Sequence, residues 1–193
     1  DEAFLDVTGM GLLAPSPRVL AQRLKAEIRE KTALVASVGI APNKFLAKLA
    51  SDLEKPDGLV EIRAEDAARR IAPLPVRRLW GVGKRTEEKL LAQGIKTIGA
   101  MQQADEKKLA RSLGRRAAHA LKELSFGRDE RRVEPDREAK SISKEVTFER
   151  DLKSAEEAER ELLSLAEKVG WRLRLAGVAA RTIQLKVRRA DFT

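Results

Sequence analysis

The chain has 193 residues, 42% hydrophobic but only 4% aromatic, with no cysteine, no tyrosine and a formal net charge of +9 at pH 7. Without cysteine there is no disulfide and no thiolate metal site, and no apolar run approaches membrane-spanning length. The composition describes a soluble protein of one or two domains with aliphatic cores, and its basic excess points to a polyanionic partner.

Asp1 and Glu2 open the chain as adjacent carboxylates before Ala3–Val7, a short strand. Taken alone, such a pair is a solvated acidic terminus more readily than a metal-binding one. After a loop over 9–17, Val19, Leu20, Leu24 and Ile28 give a helical period, and Leu34–Ile40 reads as a second strand. Asn43 then starts a helix over 43–54. Phe45, Leu49 and Leu53 form its buried face, while Lys44, Lys48 and Asp52 repeat on a polar stripe, with Lys44 and Asp52 read as surface residues. Lys55-Pro56-Asp57-Gly58 ends that helix, because the residue before proline leaves helical space and Asp-Gly favours a turn. A third strand at Leu59–Ile62 completes a small α/β piece.

From 64 to 125 the pattern is helical in short segments, at 64–72, 75–79, 84–93, 97–103, 105–112 and 115–125. Gly81-Val82-Gly83 joins two of them, followed by Lys84, Arg85 and Thr86. Small residues let a backbone turn sharply near a phosphate, and the next helix's first amides face outward. On its own this turn is equally an ordinary corner between helices. Leu113-Gly114-Arg115-Arg116 is a candidate second phosphate-facing turn. His119 has no ligand-type partner nearby in sequence, so it reads as a helix surface or packing residue, and Trp80 and Trp171 read as packing residues. Residues 127–139 are almost devoid of apolar side chains and read as a charged linker. Residues 141–148 alternate as a strand, a helix follows at 154–175, and Ile183, Leu185 and Val187 share one face of a second alternating strand. Residues 1–60 are charge-neutral, 61–130 carry +6 and 131–193 carry +3, so the basic surface lies outside the acidic opening segment.

Four stretches in order resemble one family across essentially the whole chain. SVGIAPNKFLAKLASDLEKPDG (37–58) resembles the palm segment of the Y-family (translesion) DNA polymerases, in the polymerase IV-type branch. DEAFLDVTG (1–9) is similar to the catalytic acidic motif, LWGVGKRTEEKLLAQGI (79–95) to the thumb helix-hairpin-helix, and KSISKEVTFERDL (140–152) to the first little-finger strand. The resemblance implies a multidomain α+β protein: a partial α/β palm at 1–62, an all-helical thumb at 63–126, a linker at 127–139, and a partial α+β little finger at 140–193.

It further implies that Asp1 and Glu2 are catalytic residues holding two Mg²⁺ ions together with an earlier aspartate, and that Lys55 contacts the nucleotide triphosphate. Duplex backbone would be contacted by Gly81, Val82, Gly83, Lys84, Arg85, Gly114, Arg115, Lys140, Ser141, Ser143, Lys144, Lys186 and Arg188. Both ends read as cut, so an internal fragment is expected that binds DNA without polymerising. Implied partners are primer-template DNA, deoxynucleoside triphosphates and, through a segment outside the chain, the sliding clamp. A monomer in the bacterial cytoplasm, at the nucleoid and away from membranes, is expected. Two rivals stand beside this reading. One is a non-enzymatic DNA-binding accessory protein with a decayed polymerase site. The other is a helix-hairpin-helix repair glycosylase, which the strand patterns disfavour.

Overall fold

The structure, a computed structural model, describes residues 2–12, 14–135, 139–189 and 191. The chain divides into two units, 1–134 and 135–193.

In the first unit, α1 (Pro17–Thr32) begins at Ser16, whose hydroxyl accepts from the Val19 amide, with Pro17 in the first turn where its missing N–H costs nothing. Strand β1 (Val38–Ile40) leads into α2 (Lys44–Leu53), capped by Asn43 accepting from Leu46 N at 3.0 Å, and the chain returns through β2 (Leu59–Glu61). The strands pair in parallel, with Val38 opposite Leu59 and Ile40 opposite Glu61. This β-α-β crossover buries Phe45, Leu46, Leu49 and Ala50 of α2. Gly39 is required by the packing: a Cβ there would stand 2.0 Å from the Ala47 carbonyl oxygen and 2.5 Å from the Ser51 amide nitrogen.

Helices follow at α3 (Ala67–Ile71), α4 (Lys84–Leu91), α5 (Ile98–Gln103), α6 (Glu106–Leu113) and α7 (Arg115–Ser125), with a single 3-10 turn at Val76–Arg78 where a helix over 75–79 is expected. Their buried residues, among them Leu79, Leu90, Ile98, Met101, Leu109 and Leu121, form one cluster with Phe45, Leu49, Val60 and Ile62. The α/β piece and the helical segment therefore share a continuous core. Lys122 donates to the carbonyls of Met101, Gln102 and Ala104, satisfying the open end of α5 with one ammonium. Residues 127–134 lie in this unit too. Gly127 O accepts from Asn43 Nδ2 at 2.7 Å, and the Asp129 carboxylate accepts from the Phe45 amide at 3.0 Å.

Strand expectations fare less well than helix expectations. Residues 3–7 carry no strand, and of 34–40 only Val38–Ile40 pairs, because Leu34 and Val35 have no neighbouring strand and stand exposed. In the second unit α8 (Ala155–Leu175) starts at a Ser154 cap, but neither 141–148 nor 182–188 is a strand. The two segments are linked by a Lys186–Glu145 ion pair at 3.3 Å rather than a backbone ladder. Ile183 is 94% exposed, and Trp171, expected to pack, is 59% exposed. Alternation marks one apolar face, yet a strand exists only where another backbone lies about 4.8 Å away to bond it.

Candidate nucleic-acid and nucleotide site

The acidic opening and the end of α2 meet. Lys48 Nζ lies 2.5 Å from both carboxylate oxygens of Glu2, although 46 residues separate them. One helical turn along, Asp52 pairs with Lys55 at 2.5 Å, and this hydrogen bond and charge raise the Lys55 ammonium above the ordinary lysine range. The four side chains make two ion pairs where α2 ends. Lys48 and Asp52 thus belong beside the predicted residues, Asp52 as a partner of Lys55 rather than an isolated surface group. Spacing put Lys48 and Asp52 on one stripe with Lys44, but nothing local in the sequence pairs Lys48 with Glu2. Asp1, the other predicted ligand, lies outside the described residues.

These residues do not by themselves make a metal site. Both Glu2 oxygens are engaged by Lys48, and no group of three or more His, Cys, Asp or Glu side chains able to hold a metal occurs among the described residues. Carboxylate is the right donor for Mg²⁺, but two carboxylates, each bound to a lysine, are too few.

Two residues from Glu2, Phe4 stacks on Trp80 with ring centroids 5.9 Å apart. Arg131 lies 4.1 Å above the Trp80 ring, and Lys44 Nζ lies 5.0 Å from Phe4. Trp80 is therefore the packing residue expected, and it joins the acidic segment to the turn that begins at the next residue. Asp129 anchors Arg131. Burial opposes its charge, but hydrogen bonds from the Arg131 side chain and backbone and from the Phe45 amide hold the carboxyl below its usual range.

Gly81 turns at φ +94°, and Gly83 caps α4 with no side chain to accept its first amides. Lys84 and Arg85 are exposed beside them. The second corner repeats this plan with a single residue: Gly114, at φ +85°, ends α6 and begins α7, and exposed Arg115 and Arg116 follow. The corners are braced against each other, since Lys89 donates to Ser112 O at 3.1 Å and Gln93 to Ser112 Oγ at 2.9 Å. Helix starts without side-chain caps, flanked by cations, suit an anionic backbone. His119 is on the exposed surface of α7, 3.2 Å from Glu106.

In the second unit Lys140, Ser141, Ser143, Lys144, Lys186 and Arg188 are all exposed. Arg172 donates to Ser143 O at 2.7 Å, and Lys186 is turned to Glu145.

Comparison with known proteins agrees along the chain. Models of the impB/mucB/samB family, of the IMS family HHH motif and of the impB/mucB/samB family C-terminal domain match residues 1–52, 64–95 and 139–193 respectively. DNA polymerase IV of Caulobacter vibrioides is 45% identical over 193 residues, covering 100% of this chain and 48% of that protein. DNA polymerase IV of Desulfatibacillum aliphaticivorans is 40% identical over 192 residues, again covering 100% of this chain and 48% of the relative. The chain spans about half the length of these curated relatives. Among solved structures, DinB from Sulfolobus solfataricus aligns with a TM-score of 0.60 at 30% identity, over 67% of this chain and 38% of that one.

Proposed function

The chain belongs to the impB/mucB/samB family, that of the Y-family DNA polymerases, and from that premise we propose that it holds primer-template duplex for translesion DNA synthesis. The observation that carries this is the pair of glycine corners, each presenting an uncapped helix start between exposed cations. Gly81, Val82, Gly83, Lys84, Arg85, Gly114 and Arg115 contact sugar-phosphate backbone without reading bases, as template-directed synthesis on any sequence requires. In the second unit, Lys140, Ser141, Ser143, Lys144, Lys186 and Arg188 are the residues that contact duplex backbone. Lys55 meets the triphosphate of the incoming deoxynucleotide as a point charge, leaving Asp52 for it.

In the whole polymerase Asp1 and Glu2 would be two of the ligands to a pair of Mg²⁺ ions, the others coming from outside the described residues, and the ions would supply charge stabilisation for nucleotide transfer to a primer 3′-hydroxyl. The described residues gather no group of three or more carboxylates, which supports a chain that alone binds duplex and does not extend a primer. In the bacterial cytoplasm the whole protein acts as a monomer at the nucleoid, where the sliding clamp recruits it through another segment. No helix among the described residues is long and apolar enough to cross a membrane.

The test is duplex affinity across a salt series. Binding that weakens steeply with salt supports the reading, and salt-independent or absent binding at low salt removes it. Primer extension by the whole polymerase, lost on Glu2→Gln, separates it from a non-enzymatic accessory protein.

A further inference from the structure

We infer that Lys25, in the middle of α1, positions the turn that carries Lys55, and so links α1 to the triphosphate contact. The inference rests on the reading of Lys55 as that contact.

Lys25 is only 16% exposed, and its ammonium is spent entirely on one turn far along the chain. It donates to the Asp57 carbonyl at 2.5 Å and the Gly58 carbonyl at 2.9 Å, and it lies 2.8 Å from Asp57 Oδ1. A lysine ammonium has three donors, and here three acceptors on two adjacent residues face it. Arg29, one helical turn later, places its guanidinium 3.9 Å from the other Asp57 carboxylate oxygen. The turn is held from its far side as well, where the Gly58 amide donates to Ser37 Oγ and the Gly58 carbonyl also accepts from the Val38 amide.

Asp57 itself sits at φ +64°, a conformation that side-chain-bearing residues adopt with difficulty. With carbonyl and carboxylate both turned to Lys25, that conformation gains a partner specific to it. The same contact, through hydrogen bond and charge, lowers the Asp57 carboxyl below its usual range.

The consequence for Lys55 is geometric. It is two residues before Asp57 and projects from the stretch between the end of α2 and the anchored turn. A point-charge contact has no fork to orient it, so its reach is set by where the backbone starts. Loss of Lys25 frees the Asp57–Gly58 carbonyls and lets the 55–58 backbone move, while β2 and the helical core keep their own contacts.

The experiment uses the whole chain labelled with ¹⁵N, with inorganic tripolyphosphate as probe. Lys25→Met should speed amide exchange at Asp57 and Gly58 by about tenfold, as expected for a lost charge-assisted anchor, and leave β2, α5 and α7 unchanged. It should weaken tripolyphosphate binding as far as Lys55→Ala does, and Lys25→Arg, which keeps charge and donors, should retain both properties. Asp57→Ala, which removes the side-chain contact and leaves the two carbonyls, gives a smaller change in the same direction if the methionine variant does not fold. Unchanged exchange at 57 and 58 overturns the inference. So does intact tripolyphosphate binding in Lys25→Met alongside weakened binding in Lys55→Ala. If Lys55→Ala itself binds tripolyphosphate normally, the triphosphate reading of Lys55 and the link from Lys25 to it both fall.

Discussion

Reversing the two cations beside the first glycine corner, with Lys84→Glu and Arg85→Glu together, should remove two phosphate contacts without unfolding the chain. Both side chains are exposed, and the α4 core residue is Leu90, on another face. Each neutralised phosphate contributes about 0.9 to the slope of log affinity against log salt, so the double variant should be shallower by about 1.8. At 0.1 M salt two such contacts are worth about sixtyfold in affinity, and between 50 and 200 mM the wild-type chain should lose about twelvefold more affinity than the variant. Fluorescence anisotropy on several unrelated primer-template duplexes, at four or more salt concentrations, reads both quantities. An unchanged slope would show that these cations do not meet phosphate. A loss confined to some duplex sequences would contradict a corner that contacts backbone alone. The thermal midpoint, measured in parallel, should match the wild type and so exclude unfolding as the cause.

Gly39→Ala should cost about 3 kcal/mol or more in urea unfolding, because its Cβ would meet backbone of α2 that cannot rotate aside; a loss under 1 kcal/mol would mean that α2 is loosely seated. Gly114→Ala should cost about 1–2 kcal/mol through its φ of +85° alone, since no atom lies within 4 Å of the added methyl, and it should also weaken duplex binding. Asp129→Asn should destabilise the first unit by about 1–3 kcal/mol at neutral pH. Because the folded carboxyl is held below its usual value, its contribution is complete above the unfolded value near 3.9 and disappears as pH falls through the folded one. The difference between wild type and Asp129→Asn in thermal midpoint should therefore close in acid, and a difference independent of pH would refute the ionised role.

Helices were legible because their determinants are local. Asn43 accepts from the amide three residues on, as does Thr97 for α5, and the spacing of Phe45 and Leu49 already states which face of α2 is buried. The two glycine corners were legible for the same reason, since positive φ at Gly81 and Gly114 is a property of single residues. The strands were legible only in part: Val38–Ile40 and Leu59–Glu61 fall within the expected 34–40 and 59–62, whereas 3–7, 141–148 and 182–188 form none. Ile183, Leu185 and Val187 alternate as a strand should, but their backbone finds no ladder partner among the described residues, and pairing depends on chain brought from elsewhere.

The candidate site divides along the same line. Lys55 and the corner cations could be named from short motifs, whereas Lys48 bonded to Glu2 and Asp129 bonded to the Phe45 amide join positions 46 and 84 residues apart. Charge density was misleading there. Residues 127–134 look solvated by composition, yet Asp129 is 3% exposed on its side chain and Arg131 covers Trp80. A charged residue is buried when a partner is waiting, and the partner here is a helix start whose amide needs an acceptor. The Glu2–Lys48 pair carries the same logic to function. A carboxylate held by a lysine stays fixed in place, and a divalent ion, which binds the same oxygens, must displace that lysine.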